Sequence, residues 1–294
     1  MSSLLTVLST IVTIASASLD CQASTLSQPN PIAAQYPTLT TGTVNGTVAV
    51  LPISYKLARQ IIPSQYGILK DSYRQLLPSF PQDMYPALLQ IELDHDVGQG
   101  TVIKIPDFQR ASISYPFVDR LGDGYTAMLY TPYVLLSDSI IAIAGSDGYG
   151  EIAVPATFDP PCNAYAAAGT SGTTYLNAYA VANPSQGVAI GTRFAAVSSD
   201  SSPYSLDLNV TNQPQFGANS LLCDNFIRLF NTSITRSPYT PTAVRGNVTA
   251  IKPFFATSTT FENVYGFNLD NAFIENNFMT CESLQGYSGT GSGD

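Results

Sequence analysis

Short apolar or alternating runs, separated by clusters of Gly, Pro and Asp, dominate the chain beyond residue 46. Successive side chains of a strand point to opposite faces, so a period of two indicates strands. Gln90, Glu92 and Asp94, for example, share one parity, and the apolar residues between them share the other. The pattern predicts strands at 47–53, 87–93, 101–105, 111–115, 125–130, 139–144, 174–181, 187–196, 204–210 and 243–251.

A helical period is clearest in 54–63, where Leu57 and Ile61 fall on one face. Ser54 is a candidate N-cap and Pro63 ends the segment. We expect further helices at 72–77, 219–230 and 268–279. The fold class predicted from these elements is mainly β, with a few short helices, because Tyr, Phe, Ser, Thr, Gly and Pro are abundant.

The first residues carry an apolar run that ends in Ala15-Ser16-Ala17, which is typical of a secretory cleavage site. The alternative is a buried N-terminal strand or helix. The run is shorter than the ~20 apolar residues that span a membrane. We therefore expect a signal peptide at 1–17 and no membrane anchor. An extended arm is expected at 18–46, a single domain at 47–285 and a flexible tail at 286–294.

Cysteines and glycosylation motifs agree with export. The four cysteines allow two disulfides, with three pairings open: Cys21, Cys162, Cys223 and Cys281. Their spacing contains no Cys-x-x-Cys, so no metal site is predicted. Four Asn-x-Ser/Thr sequons are candidate glycosylation sites: Asn45, Asn209, Asn231 and Asn247. The sequence thus predicts a secreted or secretory-pathway protein.

The charge balance limits the partners. Only 11% of residues are charged and the net charge is −9. Nucleic-acid surfaces need clustered Lys and Arg, so this composition argues against them and against anionic membranes. We expect a small-molecule ligand; the sequence does not indicate an oligomeric state.

Common catalytic motifs are absent, and the chain has one histidine, His95, between two aspartates. A carboxylate beside a histidine can orient it as a base. A hydrolase that uses His95 and a serine is therefore one hypothesis. The competing interpretation is a polar strand end that enters the turn 97–100.

The chain from residue 48 reads VAVLPISYKLARQIIPSQYGIL, and 86–96 reads PALLQIELDHD. These segments resemble acetoacetate decarboxylases, in which they correspond to an entry strand and helix and to a strand with an acidic residue, here Glu92. GYTAMLY at 124–130 and IAIAG at 141–145 resemble two later strands, and 224–230 and 246–254 match faintly. The resemblance implies a closed, mostly antiparallel β-barrel with an interior pocket.

The chain departs from this family at its lysine, which forms a Schiff base with a β-keto acid. The family motif Gly-Arg-Glu-x-x-Gly-Phe-Pro-Lys corresponds to GSDGYGEIA at 145–153, which places Ala153 at the lysine. Pro52 likewise stands where the family has an arginine. Between Lys104 and Lys252 there is no lysine. We therefore predict no Schiff-base chemistry, unless Lys104 reaches the pocket from a neighbouring strand.

The remaining candidates are acidic and aromatic. We predict Glu92 and Asp107 as catalytic carboxylates, since a buried carboxylate has a raised pKa and can act as an acid or base. The predicted substrate-binding residues are Arg110, Tyr115, Tyr125, Tyr130, Asp147 and Tyr149. The alternative for each is an ordinary structural role.

Two functions follow from this set. The first is an enzyme without a cofactor that acts on a small apolar organic or polyketide-like compound. Its reaction would be a cyclisation, isomerisation, dehydration or lysine-independent decarboxylation. The second is a non-catalytic carrier of a hydrophobic small molecule.

Overall fold

Strands make up most of the folded chain. The structure is a computed structural model that describes residues 25, 28–100, 103–137, 139–169, 172–204, 208–219 and 221–287. The predicted signal peptide and Cys21 lie outside the described residues. The strands are β1 (Thr40–Ser54), β2 (Gly67–Ile68), β3 (Met84–Gln99), β4 (Ile103–Lys104), β5 (Phe108–Asp119), β6 (Met128–Tyr130), β7 (Tyr133–Leu136), β8 (Ile152–Asp159), β9 (Ala166–Ala167), β10 (Thr173–Ala180), β11 (Ile190–Ala196), β12 (Gln215–Phe216), β13 (Leu222–Leu229), β14 (Thr242–Ala250) and β15 (Thr259–Thr280).

Backbone hydrogen bonds close these strands into two circuits. The larger circuit runs β5–β7–β8–β10–β11–β14–β15–β1–β3 and returns to β5. The smaller circuit leaves β15 through β13, β12 and β6 and also returns to β5. Most pairings are antiparallel, whereas β7–β8 and β6–β12 are parallel. The two circuits share β15, β1, β3 and β5.

The shared strands are long because each serves both circuits. The strand β15 pairs with β14 over its first half and with β13 over its second half. The strands β1 and β3 approach so closely that position 46 requires glycine, since an added Cβ would lie 2.2 Å from the carbonyl oxygen of Ile91. The strand β1 begins at Thr40 and is paired from its first residue. The arm predicted for 18–46 therefore ends inside this strand.

Four α-helices lie among the described residues: α1 (Tyr55–Ile61), α2 (Lys70–Leu76), α3 (Ile140–Gly148) and α4 (Leu208–Thr211). The prediction for α1 is confirmed, since Ser54 Oγ accepts a hydrogen bond from the Leu57 amide at 3.1 Å. The helix α2 begins two residues before the predicted segment. No described helix is long and apolar enough to cross a membrane.

Three predicted elements were wrong, and a fourth was wrong in its described part. The segments 219–230 and 268–279 contain strand β13 and the second half of β15, not helices. Both faces are buried over most of β13 and over residues 269–274 of β15, so the apolar residues there do not alternate. The segment 139–144 is the start of α3 instead of a strand, and Ser139 caps this helix by accepting from the Ala142 amide. The predicted strand at 204–210 contains part of α4, and residues 205–207 lie outside the described residues.

The core is apolar and rich in aromatic rings. The ring of Tyr85 meets that of Tyr73 edge to face and stacks on that of Tyr115, with ring centroids 5.8 and 6.3 Å apart, and Tyr130 follows at 6.2 Å from Tyr115. A disulfide joins Cys223 to Cys281 across 58 residues.

Candidate active site

A cavity of about 340 Å³ opens between the strands of the smaller circuit and α3. Its walls come from β1, β3, β5, β7, β12, β13 and β15, from α3, and from the residues just before β8. Half of the lining is apolar and includes Val134, Leu136, Phe226 and Phe273. Concave, partly apolar spaces with a few convergent polar groups are the usual form of small-molecule sites.

Carboxyl groups converge on the inner end of this cavity. Asp94, Glu151 and Glu275 line it, and the fully buried Asp224 lies behind them. Burial raises the pKa of Asp94 to about 6, that of Glu151 to about 8 and that of Glu275 to about 7. Burial, and after it the charge of Glu275, raises the pKa of Asp224 well above its usual range.

Polar side chains link these carboxyls. Gln215 Nε2 donates to Asp224 Oδ2 at 2.8 Å and to the Tyr149 hydroxyl at 3.4 Å. The Tyr149 hydroxyl donates to Glu151 Oε2 at 3.3 Å. The amide nitrogen of Asn277, in the orientation that satisfies both neighbours, donates to Glu275 at 2.9 Å and to Asp224 at 3.0 Å. The result is a connected polar network at the buried end of the cavity.

A second set of carboxyls is neutralised by arginines. Glu92 is fully buried and pairs with Arg110 at 2.7 Å and with Arg228 at 2.6 Å. Arg110 also pairs with Asp94 through Nε at 2.7 Å. Burial alone would lower the pKa of Arg110, but Asp94 and Glu92 raise it above its usual value. Both guanidinium groups lie over the ring of Phe226, 5.0 and 5.4 Å from its centroid.

Two of the residues predicted for the site line the cavity, namely Arg110 and Tyr149. Glu92 lies behind Arg110, where its carboxylate holds the guanidinium and does not line the space. The sequence correctly placed this carboxylate on the strand face that it shares with Asp94, which lines the cavity. In the structure its contact positions Arg110.

The other predicted residues lie elsewhere. Tyr115 and Tyr130 are buried in the aromatic core, while Tyr125 is 59% exposed. Asp147 is exposed on α3, where its carboxylate accepts a hydrogen bond from the Ala153 amide. Asp107 accepts from the Asp96 amide at 3.3 Å and is partly exposed. None of these five lines the cavity, so we do not carry them into the proposed site.

Glu151, Glu275, Asp224 and Gln215 were missed. Glu151 belongs to the segment 145–153, in which only Asp147 and Tyr149 were selected. Glu275 was hidden because its segment was predicted as a helix. Its parity on a strand could have indicated that it shares a face with Phe273 and Asn277.

The lysines and the histidine lie away from the cavity. All four lysines, at positions 56, 70, 104 and 252, are among the described residues, and none lines it. Ala153 pairs with Val134 between β8 and β7. The ring of His95 lies 2.9 Å from Thr43 Oγ1 and 3.2 Å from Asp96. Its hydroxyl neighbour is therefore a buried threonine, which does not support a serine hydrolase. No group of metal-ligating side chains occurs in the described part of the chain.

The sequons differ in accessibility. Asn231 and Asn247 are exposed, whereas Asn45 is 2% exposed between two paired strands. A folded chain has no space for a glycan at Asn45, so the structure argues against that site. The side chain of Asn209 lies outside the described residues. Cys162 is disulfide-bonded.

No protein-family model and no curated protein sequence matches the chain. Several solved structures do match the chain, at low sequence identity. Acetoacetate decarboxylase from Legionella pneumophila is 11% identical, covering 83% of this chain and 87% of that chain with a TM-score of 0.49. The enduracididine biosynthesis enzyme MppR is 9% identical, covering 82% and 86% with a TM-score of 0.46.

An acetoacetate decarboxylase-like enzyme from Sphingomonas wittichii RW1 is 7% identical, covering 83% of this chain and 92% of that chain with a TM-score of 0.43. These structural neighbours are thus acetoacetate decarboxylase, an enzyme described as similar to it, and an enduracididine biosynthesis enzyme.

Proposed function

We propose that this chain is an enzyme that moves protons on a small organic carbonyl compound, without a covalent lysine intermediate. One observation carries the proposal: Glu151 and Glu275 line one half-apolar cavity, and no ion pair of the described residues includes either of them. Desolvation raises the pKa of both carboxyls, and the charge of Arg110 offsets this only in part, so both titrate close to neutral pH, where a general acid or base works best.

The two groups have different roles because their pKa values differ. Near pH 7, Glu151 is mostly protonated and Glu275 is ionised in part of the molecules. Glu275 takes a proton from the carbon beside a substrate carbonyl, and Glu151 gives its proton to the carbonyl oxygen. The product of this step is an enol. Return of the protons at other positions gives isomerisation, and attack of the enol carbon on a second carbonyl gives cyclisation.

Neighbouring groups hold this pair in place. Tyr149 contacts Glu151, and Asn277 contacts Glu275, so each carboxyl has a fixed orientation. Glu92 and Asp94 fix Arg110 at the cavity wall.

We propose that the two strand circuits form the acetoacetate decarboxylase-like barrel implied by the motifs, and that the protein enters the secretory pathway. The disulfide and the exposed Asn231 and Asn247 support export.

The test is exchange of α-hydrogens of hexyl methyl ketone in D₂O, followed by proton NMR. We expect Glu151→Gln and Glu275→Gln to slow the exchange by about 10²–10⁴-fold, the usual contribution of a general acid or base. Glu262→Gln is the matched control, because Glu262 is exposed on β15 and away from the cavity. Equal exchange in all four proteins would contradict the proposal. Ketone binding without any exchange would favour the carrier.

A further inference from the structure

The cavity has two ends of opposite character. At the inner end, Glu151 is 5% exposed and contacts Tyr149, which is equally buried. At the mouth, Ile141 and Phe278 are each 50% exposed and line the opening. Ile140, beside them on α3, is 82% exposed. Large apolar side chains exposed together around an opening mark a surface that binds another apolar group.

The mouth is built by a close contact. The backbone of Phe278 has φ +62°, a left-handed conformation that is costly for an aromatic residue. Its ring lies against Gly148 at the end of α3, where an added Cβ would be 2.1 Å from the ring. The glycine and the unusual backbone together place an exposed ring over the opening instead of in the core.

The inner end offers no counter-charge to an anion. Arg110 is the one cationic side chain among the described residues that line the cavity, and it is paired with Glu92 and Asp94. A carboxylate ligand would also meet Glu151 and Glu275. The ionised fraction of Glu275 repels such a ligand near neutral pH, and Arg110 is already paired, so an anion is disfavoured there.

Uncharged oxygen groups suit the inner end better. A protonated carboxyl has one donor, and the side-chain amides of Gln215 and Asn277 add donors and acceptors. These groups can bind a carbonyl or hydroxyl without a net charge on the ligand. The apolar walls and mouth then cover a hydrocarbon chain.

We propose that the site takes an uncharged amphiphile, whose carbonyl or hydroxyl end lies among Glu151, Glu275 and Gln215 and whose hydrocarbon chain leaves past Ile141 and Phe278. This inference rests on the proposed function, since it names the substrate class of the same cavity. It excludes the anion of a keto acid as the preferred substrate.

The experiment compares four probes by calorimetric titration of the full chain at about pH 7.5. Three of them share eight carbons and differ in charge: hexyl methyl ketone, octanoate and octylammonium. The fourth, ethyl methyl ketone, keeps the polar end without the chain. We expect hexyl methyl ketone to bind at least about tenfold more tightly than each of the others, because it alone combines a neutral end with buried methylenes.

Variants localise the binding. We expect Phe278→Ala to weaken hexyl methyl ketone about three- to tenfold, because part of the chain loses its cover. Tyr125→Ala is the control, since it removes an exposed aromatic ring that does not line the cavity. Octanoate should bind more tightly as the pH falls towards about 5, where it becomes neutral.

Each contrary result has a defined meaning. If octanoate or octylammonium binds as tightly as the ketone at pH 7.5, the proposal that the ligand is uncharged is wrong. Equal binding of the long and short ketones, or no effect of Phe278→Ala, would contradict the proposed path of the hydrocarbon chain past Ile141 and Phe278. No binding of any probe would overturn the inference as a whole. Tight ketone binding without hydrogen exchange would leave this inference standing and remove only the proposed enzymatic function.

Discussion

Two groups of buried carboxyls lie side by side in this molecule, and they differ in their partners. Glu92 and Asp94 on β3 are paired with Arg110 and Arg228. Glu151, Glu275 and Asp224 lie around the cavity, where amide and hydroxyl groups are their main contacts. Glu92, Asp94, Glu151 and Asp224 are all buried, and Glu275 is partly buried, so the main difference between the two groups is the ion pair with an arginine.

This difference in partners distinguishes carboxyls that support the structure from carboxyls that can take part in a reaction. The carboxyl group of Glu92 contacts two guanidinium groups and orients them, so its oxygens are already engaged and are not available to a substrate. A carboxyl without a counter-charge holds its proton up to neutral pH and can release it there. We infer that the arginine-paired set supports the wall of the cavity and that the unpaired set performs the chemistry.

Removal of a cation from the paired set should have the largest effect. Arg228→Met leaves Glu92 with one partner and removes the donor to Gln90 and Asn271. We expect a loss of about 3–5 kcal/mol in the free energy of unfolding, as is usual when one partner of a buried ion pair is lost. Urea denaturation measures it. Arg193→Met, on the exposed face of β11, should change stability by less than about 1 kcal/mol. A small loss for Arg228→Met would show that the paired set does not need its cation.

The unpaired set should control how stability depends on pH. The pKa of Glu151 is raised from 4.5 to about 8, so between these values the unfolded chain releases a proton that the folded chain keeps. The stabilising contribution is complete below about pH 4.5 and lost by about pH 8. Glu275 adds a window up to about pH 7. Asp94 of the arginine-paired set adds a narrower one, up to about pH 6, because Arg110 partly offsets the effect of burial on its pKa. Stability should therefore fall as the pH rises from about 5 to about 8.

Each titrating group contributes up to about 1.4 kcal/mol per pH unit within its window. Glu151→Gln should remove one such contribution and flatten the decline, whereas Glu262→Gln should leave it unchanged. Unfolding temperatures across the pH range measure both. A decline that is identical in the two variants would show that Glu151 ionises freely in the folded chain.

The smallest effects are expected for the predicted residues that the structure places outside the cavity. Asp147→Asn and Tyr125→Phe change exposed side chains that do not line it. We expect each to alter stability by less than about 0.5 kcal/mol and hydrogen exchange of hexyl methyl ketone by less than about twofold. A tenfold slower exchange in either variant would place that residue in the site after all.

The sequence indicated the arginine-paired set of carboxyls and missed the unpaired set, and the reason is physical. The parity of β3 placed Gln90, Glu92 and Asp94 on one face, which is a local property of the strand. The partner Arg228 is 136 residues away from Glu92, and only the pairing of strands brings them together. Local patterns therefore indicated a buried acidic face but not the cation that neutralises it.

The unpaired set depends on even more distant segments. Glu151, Asp224 and Glu275 come from the start of β8, from β13 and from β15. Both faces are buried over most of β13 and over residues 269–274 of β15, so the sequences there lack the alternation that would have predicted strands. The resemblance to acetoacetate decarboxylases indicated the class of fold. Glu151 and Asp224 lie in segments compared with that family, but at positions to which the resemblance assigns no role, and Glu275 lies outside those segments.

Direct titration of the carboxyl groups tests the central claim most directly. Infrared spectra of the folded protein report the carbonyl stretch of protonated carboxyls, and Glu151→Gln and Glu275→Gln assign the bands. The account predicts that the wild-type protein keeps protonated carboxyl near pH 7, and that Glu151→Gln removes the component that titrates at about 8. Complete ionisation of both glutamates below about pH 5.5 would contradict it, because neither could then supply a proton at neutral pH.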